Sequence, residues 1–371
     1  MNKLTFAIGL ILLSVGVGSL SAQDVWEPQT NITGYISTEF NGFSELKDYR
    51  NSYGISLSEA GILTSYKPTK ELIFKSVFVY RPDFTFDQML NEANVQYSVT
   101  RGFNVKAGRF LTPLSPMNTY YYAPVNTSAT LPTIISNYEF FPLNMDAISI
   151  NGSAGADFSV SYDVFAGGFK NTTWMKTGPV GFFGNEIVYY KDLMGSRASY
   201  IDPSFNETYN VAFGGNLTLK YNDFMHLGFS AFKPKDDILP GFIRVEDSEV
   251  PGSFVETRVD VDLKRFNYGT NLKLKYNNTK IIAELWKGDL STGGIDKDLE
   301  GAFVELSHNI DKITPYTRYE VKSTDDVKYE RYTAGVMYKP MFETTFKLEY
   351  LMYEQEVEDI QGVVASFIYS F

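Results

Sequence analysis

His226 and His308 are the only imidazoles in the 371 residues, and there is no cysteine. A hydrolase that uses a histidine base needs a nucleophile or an acid within hydrogen-bond reach of the ring. Neither histidine has a nucleophile motif beside it, so no enzymatic activity is expected. Acidic residues recur at a spacing of two in Asp296, Asp298 and Glu300, and again in Glu354, Glu356 and Glu358. In extended chain each triplet shares a face, which a hard cation such as calcium could use, and a solvated acidic loop explains the pattern equally. The pairs Gly167-Gly168, Gly214-Gly215 and Gly293-Gly294 have no phosphate-loop context, and Cys-based metal sites are excluded. No cofactor or metal is expected. A net charge of −11 argues against nucleic acid as a partner.

A second set of charges carries more information. Lys220, Lys273, Lys275, Arg318, Glu320, Arg331, Lys347 and Glu349 alternate with apolar neighbours along strand-like stretches. In 344–354, Phe346, Leu348, Tyr350 and Met352 take one face, and Lys347 and Glu349 the other. In 207–221, Tyr209, Val211, Phe213, Leu217, Leu219 and Tyr221 oppose Asn210, Asn216, Thr218 and Lys220. Charges of both signs in a soluble sandwich core are very costly. In a water-filled channel they cost little. These eight residues are therefore read as pore-lining, on an interior that also carries Glu92, Asp163, Glu284 and Glu305.

The elements that must position them are alternating segments of about 31–40, 52–66, 70–80, 88–99, 103–110, 144–151, 157–168 and 207–221. They continue at 224–233, 256–276, 280–288, 299–309, 314–322, 329–339, 344–354 and 362–371. That makes about sixteen strands. Every second connection is short, as at Asn222–Asp223, Asn277–Thr279 and Pro340–Glu343, and the others are longer. An up-and-down antiparallel β-barrel in the outer membrane sorts its connections this way, with short turns on the periplasmic side. The stretch 186–201 is the weak point: two more strands there make eighteen, and a single one breaks the parity.

Both chain ends fit a barrel. Val363, Ala365, Phe367, Tyr369 and Phe371 share a face, so the chain ends on an apolar strand that a barrel can pair with its first strand. Lys3, the apolar run Leu4 to Val17, and Ser19, Ser21 and Ala22 read as a secretory signal peptide over 1–22, cleaved near Ala22. Residues 23–371 form the barrel, facing outer-membrane lipid and lipopolysaccharide. Tyr (26) and Phe (29) suit two aromatic girdles, and Tyr66, Tyr221, Tyr276 and Tyr338 sit beside short turns. Tyr66-Lys67-Pro68 and Tyr338-Lys339-Pro340 open what looks like one hairpin design used twice.

A long connection follows the fifth strand, at 111–143. It contains Pro113, Pro116, Pro124, Pro132 and Pro142 and the run Tyr120-Tyr121-Tyr122. A loop this long is usually functional. It is expected to fold inward, with Arg109, Tyr120, Tyr121 and Tyr122 at the constriction. Here the chain resembles the phosphate-selective porin O/P group of Gram-negative bacteria, through Lys106-Ala107-Gly108-Arg109-Phe110-Leu111-Thr112-Pro113, the long following segment, and terminal Phe371. The resemblance implies a sixteen-stranded channel, often a homotrimer, for passive diffusion of small hydrophilic solutes or ions. Phosphate selectivity does not carry over. The outer loops are acidic, with Asp236, Asp237, Glu246, Asp247 and Glu249, then Asp289 and Asp298, and an acidic vestibule disfavours phosphate. Weak selectivity is the expectation. A non-conducting surface barrel for adhesion or attachment, and a barrel hydrolase, are the other readings.

Overall fold

Backbone pairing runs unbroken from the first strand to the last and back again. The computed structural model describes residues 27–45, 51–82, 86–100, 102–119, 122–136, 140–170, 188–189, 198–201, 209–246, 254–292, 295–324, 327–355 and 359–371. The signal-peptide reading of 1–22 lies outside them. The strands are β1 (Gln29–Glu45), β2 (Asn51–Lys67), β3 (Leu72–Tyr80), β4 (Leu90–Thr100), β5 (Phe103–Leu111), β6 (Asn144–Gly155) and β7 (Phe158–Lys170). Next come β8 (Val188–Tyr189), β9 (Ala198–Ile201), β10 (Tyr209–Tyr221), β11 (Met225–Pro234), β12 (Asp237–Glu246) and β13 (Phe254–Tyr276). The last are β14 (Thr279–Thr292), β15 (Ile295–His308), β16 (Ile313–Thr324), β17 (Val327–Met341), β18 (Thr344–Gln355) and β19 (Ile360–Ser370).

Sixteen of these close an antiparallel barrel, because β7 pairs with β10 and β11 with β13. The short strands β8, β9 and β12 stand outside the cylinder. β12 pairs with the loop-end half of β13, β9 pairs with β12, and β8 with β9. The segment 186–201 thus does supply two strands, yet the barrel does not become eighteen-stranded. They extend a sheet beyond the rim, where the 23-residue β13 continues past the last barrel pairing.

The short turns take the backbone forms their residues permit. Asn222, Asn277 and Asp311 have φ of 48°, 50° and 57°, the left-handed region that Asn and Asp tolerate best after Gly. The outward face is apolar, with Ile36, Phe40, Ile148, Val164, Phe213, Leu285, Val304 and Leu348 all exposed. Rings gather toward both ends. At the turn end Tyr66 stacks on Phe74 and Tyr338 on Phe346, each with centroids 6.3 Å apart, so the repeated hairpin sequence repeats its geometry. Toward the loop end Tyr319 and Tyr332 lie 5.0 Å apart.

Closure is made at the chain's last residue. Gly34 and Phe371 exchange both backbone hydrogen bonds at 2.9 Å, and the Phe371 ring lies over Gly34, where a β-carbon would meet it at 2.4 Å. Deleting Phe371 removes two ladder bonds of about 0.5–1.5 kcal/mol each, together with the ring. The deletion is expected to lower the fraction of protein that migrates as a heat-modifiable folded band. Gly34→Val should be milder, because the exposed ring can swing away. An unchanged folded band in the deletion would remove closure from this contact.

Candidate functional site

β5 and β6 are neighbours in the wall, with Leu111 opposite Asn144, yet 32 residues separate those two positions. The described parts of this segment lie within the barrel and pack on inward side chains of the wall. Two short helices, α2 (Pro116–Thr119) and α3 (Thr133–Ser136), are its regular parts. Irregular backbone at this depth must find hydrogen-bond partners in side chains or water. Here wall side chains supply them.

The two halves of the interior differ in chemistry. Toward β5–β15 the wall is apolar. Phe110, Phe165, Phe232, Trp286 and Phe303 point inward and bury Leu114, Met117, Ile134, Ile135, Phe140 and Phe141 of the segment. The Trp286 ring lies 4.8 Å from that of Phe141 and 5.7 Å from that of Phe140. Its Nε1 donates to Glu284 at 3.0 Å, and the same carboxylate accepts Ser115 Oγ at 2.7 Å. Gly269 makes room for the indole, because a β-carbon there would lie 2.5 Å from it.

Toward β16–β19 and β2–β4 the interior is ionic. Glu320 accepts from Arg318 Nε at 2.6 Å and Arg331 Nε at 2.6 Å, and Arg318 Nη1 lies 3.2 Å from Glu305. The segment closes over this cluster with its backbone. Thr133 N–H donates to Glu320 at 2.7 Å, and Ala129 and Thr130 N–H donate to Glu349 at 2.9 Å each. Carbonyls run the other way: Lys347 donates to Ala123 and Ser128, Arg318 to Thr130, and Arg331 to Leu131, at 2.6–2.9 Å. Tyr122 Oη donates to Glu92 at 3.0 Å and Ala123 N–H to Glu59 at 3.3 Å, which ties the segment to β4 and β2. The segment therefore spans the lumen from its β5–β6 root to the opposite wall.

The residues singled out from sequence fall into three places. Arg318, Glu320, Arg331, Lys347 and Glu349 face inward, but they are 0–3 % exposed beneath the segment. They are dry, contrary to the water-filled surroundings assumed for them, because the segment supplies the partners that water would. Lys220, Lys273 and Lys275 face inward nearer the turn end, and Lys220 and Lys273 flank His226 in register. Arg109 is not at the lumen. The period of two turns Lys106 and Phe110 inward and Arg109 outward, where its Nε and Nη2 bind Asp146 at 2.7 and 2.8 Å and its Nη1 reaches Asp87. Asp87 belongs to the short helix α1 (Phe86–Met89). Tyr122 is buried inside on Glu92, whereas Tyr120 and Tyr121 lie outside the described residues. His308 points outward and shares a hydrogen bond with Thr279 at 2.8 Å.

The aromatic half of the interior was missed from sequence. Its signal was present in β14, where Ile282 and Trp286 share the inward parity of Glu284. A wholly wet lumen would not place an indole there. Among the described residues no group of three or more His, Cys, Asp or Glu could hold a metal ion.

No family model and no curated protein matches the chain. Solved structures do. A loop-deletion form of OmpT, an outer membrane protein of Vibrio cholerae, superposes with a TM-score of 0.60 at 13 % identity, covering 93 % of this chain and 99 % of that one. An anion-selective porin from Comamonas acidovorans gives 0.58 at 13 %, covering 93 % and 100 %. OmpF of Salmonella typhi, in complex with daunomycin, gives 0.58 at 10 %, covering 92 % and 97 %. At these identities the likeness is one of fold: this chain has the closed sixteen-stranded barrel found in outer-membrane porins.

Proposed function

We propose that the chain is an outer-membrane channel for small hydrophilic solutes or ions, narrowed by the segment between β5 and β6. The observation that carries this reading is the segment itself, hydrogen-bonded across the lumen of a barrel whose outer face is apolar. A sixteen-stranded barrel leaves an aqueous channel unless something fills it, so the filler sets what passes. Export through a leader cleaved near Ala22, contact with lipopolysaccharide, and assembly as a homotrimer belong to the same reading. Kinship with the phosphate-selective group rests on the motif at 106–113, the long segment after it and terminal Phe371, and phosphate selectivity is not part of the proposal.

Selectivity is expected to be weak. Asp289, Asp298 and Glu354 are exposed at the loop end of the strands, and their field favours cations at low salt. In a planar bilayer the reversal potential across a salt gradient should show a modest cation preference that fades as salt is raised. Tight, saturable block of the current by phosphate would overturn this. The second reading, a non-conducting surface barrel, is favoured by the dryness of the charges beneath the segment. Small single-channel steps support the channel. Silence from protein that is folded and inserted supports the closed barrel.

A further inference from the structure

The turn end of the barrel holds a cavity that the channel reading does not use. Its volume is about 780 Å³. It lies among the inner turns of β13–β14, β15–β16 and β17–β18, and Thr127 of the inward segment lines it from above. Its charge is lopsided, since Lys275, Lys280, Lys312 and Lys339 line it and Asp311 is the acid among the lining residues. Lys280 Nζ donates to Thr127 at 2.9 Å, which fixes one ammonium against the segment. Lys275 has Asp223 at 4.0 Å, but that carboxylate is 92 % exposed and too well solvated to neutralise it.

The rest of the lining is chosen for something other than charge. The amides of Asn277, Asn278 and Asn309 and the hydroxyls of Ser307 and Thr314 stand between the lysines. Phe342 supplies an aromatic face, with Lys339 Nζ 5.0 Å from the ring centroid. A bare inorganic anion would leave most of this volume to water, because a water occupies only about 30 Å³ of the liquid. Volumes of several hundred Å³ with a few placed polar groups are typical of sites for organic ligands.

We propose that this mouth binds a small acidic sugar, a hydroxylated organic anion with two or more carboxylates. The lysines meet the carboxylates, the amides and hydroxyls meet the sugar hydroxyls, and the ring of Phe342 meets the apolar face of a pyranose. The basic turn end gives this end of the lumen a positive field, so such an anion is held here. Only the assignment of this end to the periplasm rests on the channel reading.

The test is calorimetric titration of the whole folded barrel in detergent at low salt with digalacturonate, inorganic phosphate and maltose. Digalacturonate is expected to bind saturably, and K312Q/K339Q to weaken it about tenfold, the sum of two solvated charge contacts. Lys312→Gln alone serves if the double variant does not give the heat-modifiable folded band. Unchanged affinity in these variants, or no binding to the unmodified barrel, overturns the site. Phosphate or maltose binding as tightly as digalacturonate overturns the ligand class. Heat of binding needs no ion current, so a silent barrel would sink the channel reading and leave this result legible.

Discussion

Replacing residues 112–143 with a tight turn is expected to raise single-channel conductance several-fold. The graft is geometrically allowed, because Leu111 and Asn144 are already register partners at the ends of β5 and β6. Removing the segment uncovers Arg318, Glu320, Arg331, Lys347 and Glu349, and water then fills the space as it does in any open barrel of this strand number. The cost falls on the other half of the interior. Phe165, Phe232, Trp286 and Phe303 lose the apolar cover of Leu114, Ile134, Phe140 and Phe141, at about 25 cal/mol per Å² newly wetted. The shortened protein should therefore still fold, unfold at lower denaturant concentration, and conduct more. Equal conductance before and after the graft would mean that the segment does not set the passage.

Arg318→Ala is expected to cost about 3–5 kcal/mol of stability, the penalty for leaving a buried charge without its partner. Arg318 is 1 % exposed and touches Glu305, Glu320, Ser128 and Thr130 together. Its removal leaves the Glu305 carboxylate, 2 % exposed, facing a vacancy, and takes one of the two guanidinium partners from Glu320. It also frees the segment where it crosses to the far wall, so current noise should rise along with the loss of stability. Lys220→Ala is the control. Lys220 faces the same lumen nearer the turn end and is only partly buried, so its loss should stay within about 0.5 kcal/mol. Adding Glu305→Gln to Arg318→Ala should recover part of the loss by removing one stranded charge. Urea unfolding midpoints in detergent measure all three. If Arg318→Ala and Lys220→Ala unfold alike, the buried cluster does not hold the segment.

Much of the architecture could be read directly from residue order. Strand positions, the count of sixteen and the outward apolar face all follow from a period of two and from turn residues. These are local properties, since side-chain parity along a strand does not depend on what the strand packs against. Two connections expected as longer loops, at 289–298 and 323–328, are instead strand hairpins joined by two residues. The paired hairpins at Tyr66 and Tyr338 were legible for the same reason, and their rings stack alike in space. The extra strands in 186–201 were visible, but not their place outside the wall, because that depends on pairing with β12, a partner far along the chain.

What fills the barrel was decided by tertiary structure. Parity marks Arg318, Glu320, Arg331, Lys347 and Glu349 as inward, but it cannot say whether water or protein meets them. Only the fold brings the carbonyls of Ala123, Ser128, Thr130 and Leu131 onto Lys347, Arg318 and Arg331. Arg109 shows the same limit at the scale of one residue. A basic side chain beside a long segment looks poised over the lumen, whereas the register of β5 against β4 and β6 turns it outward onto Asp146 and Asp87. A period is written in a single strand. A contact between residues some two hundred positions apart exists only once the barrel has closed and the segment has found the wall, because irregular backbone takes whichever partners the fold brings within reach.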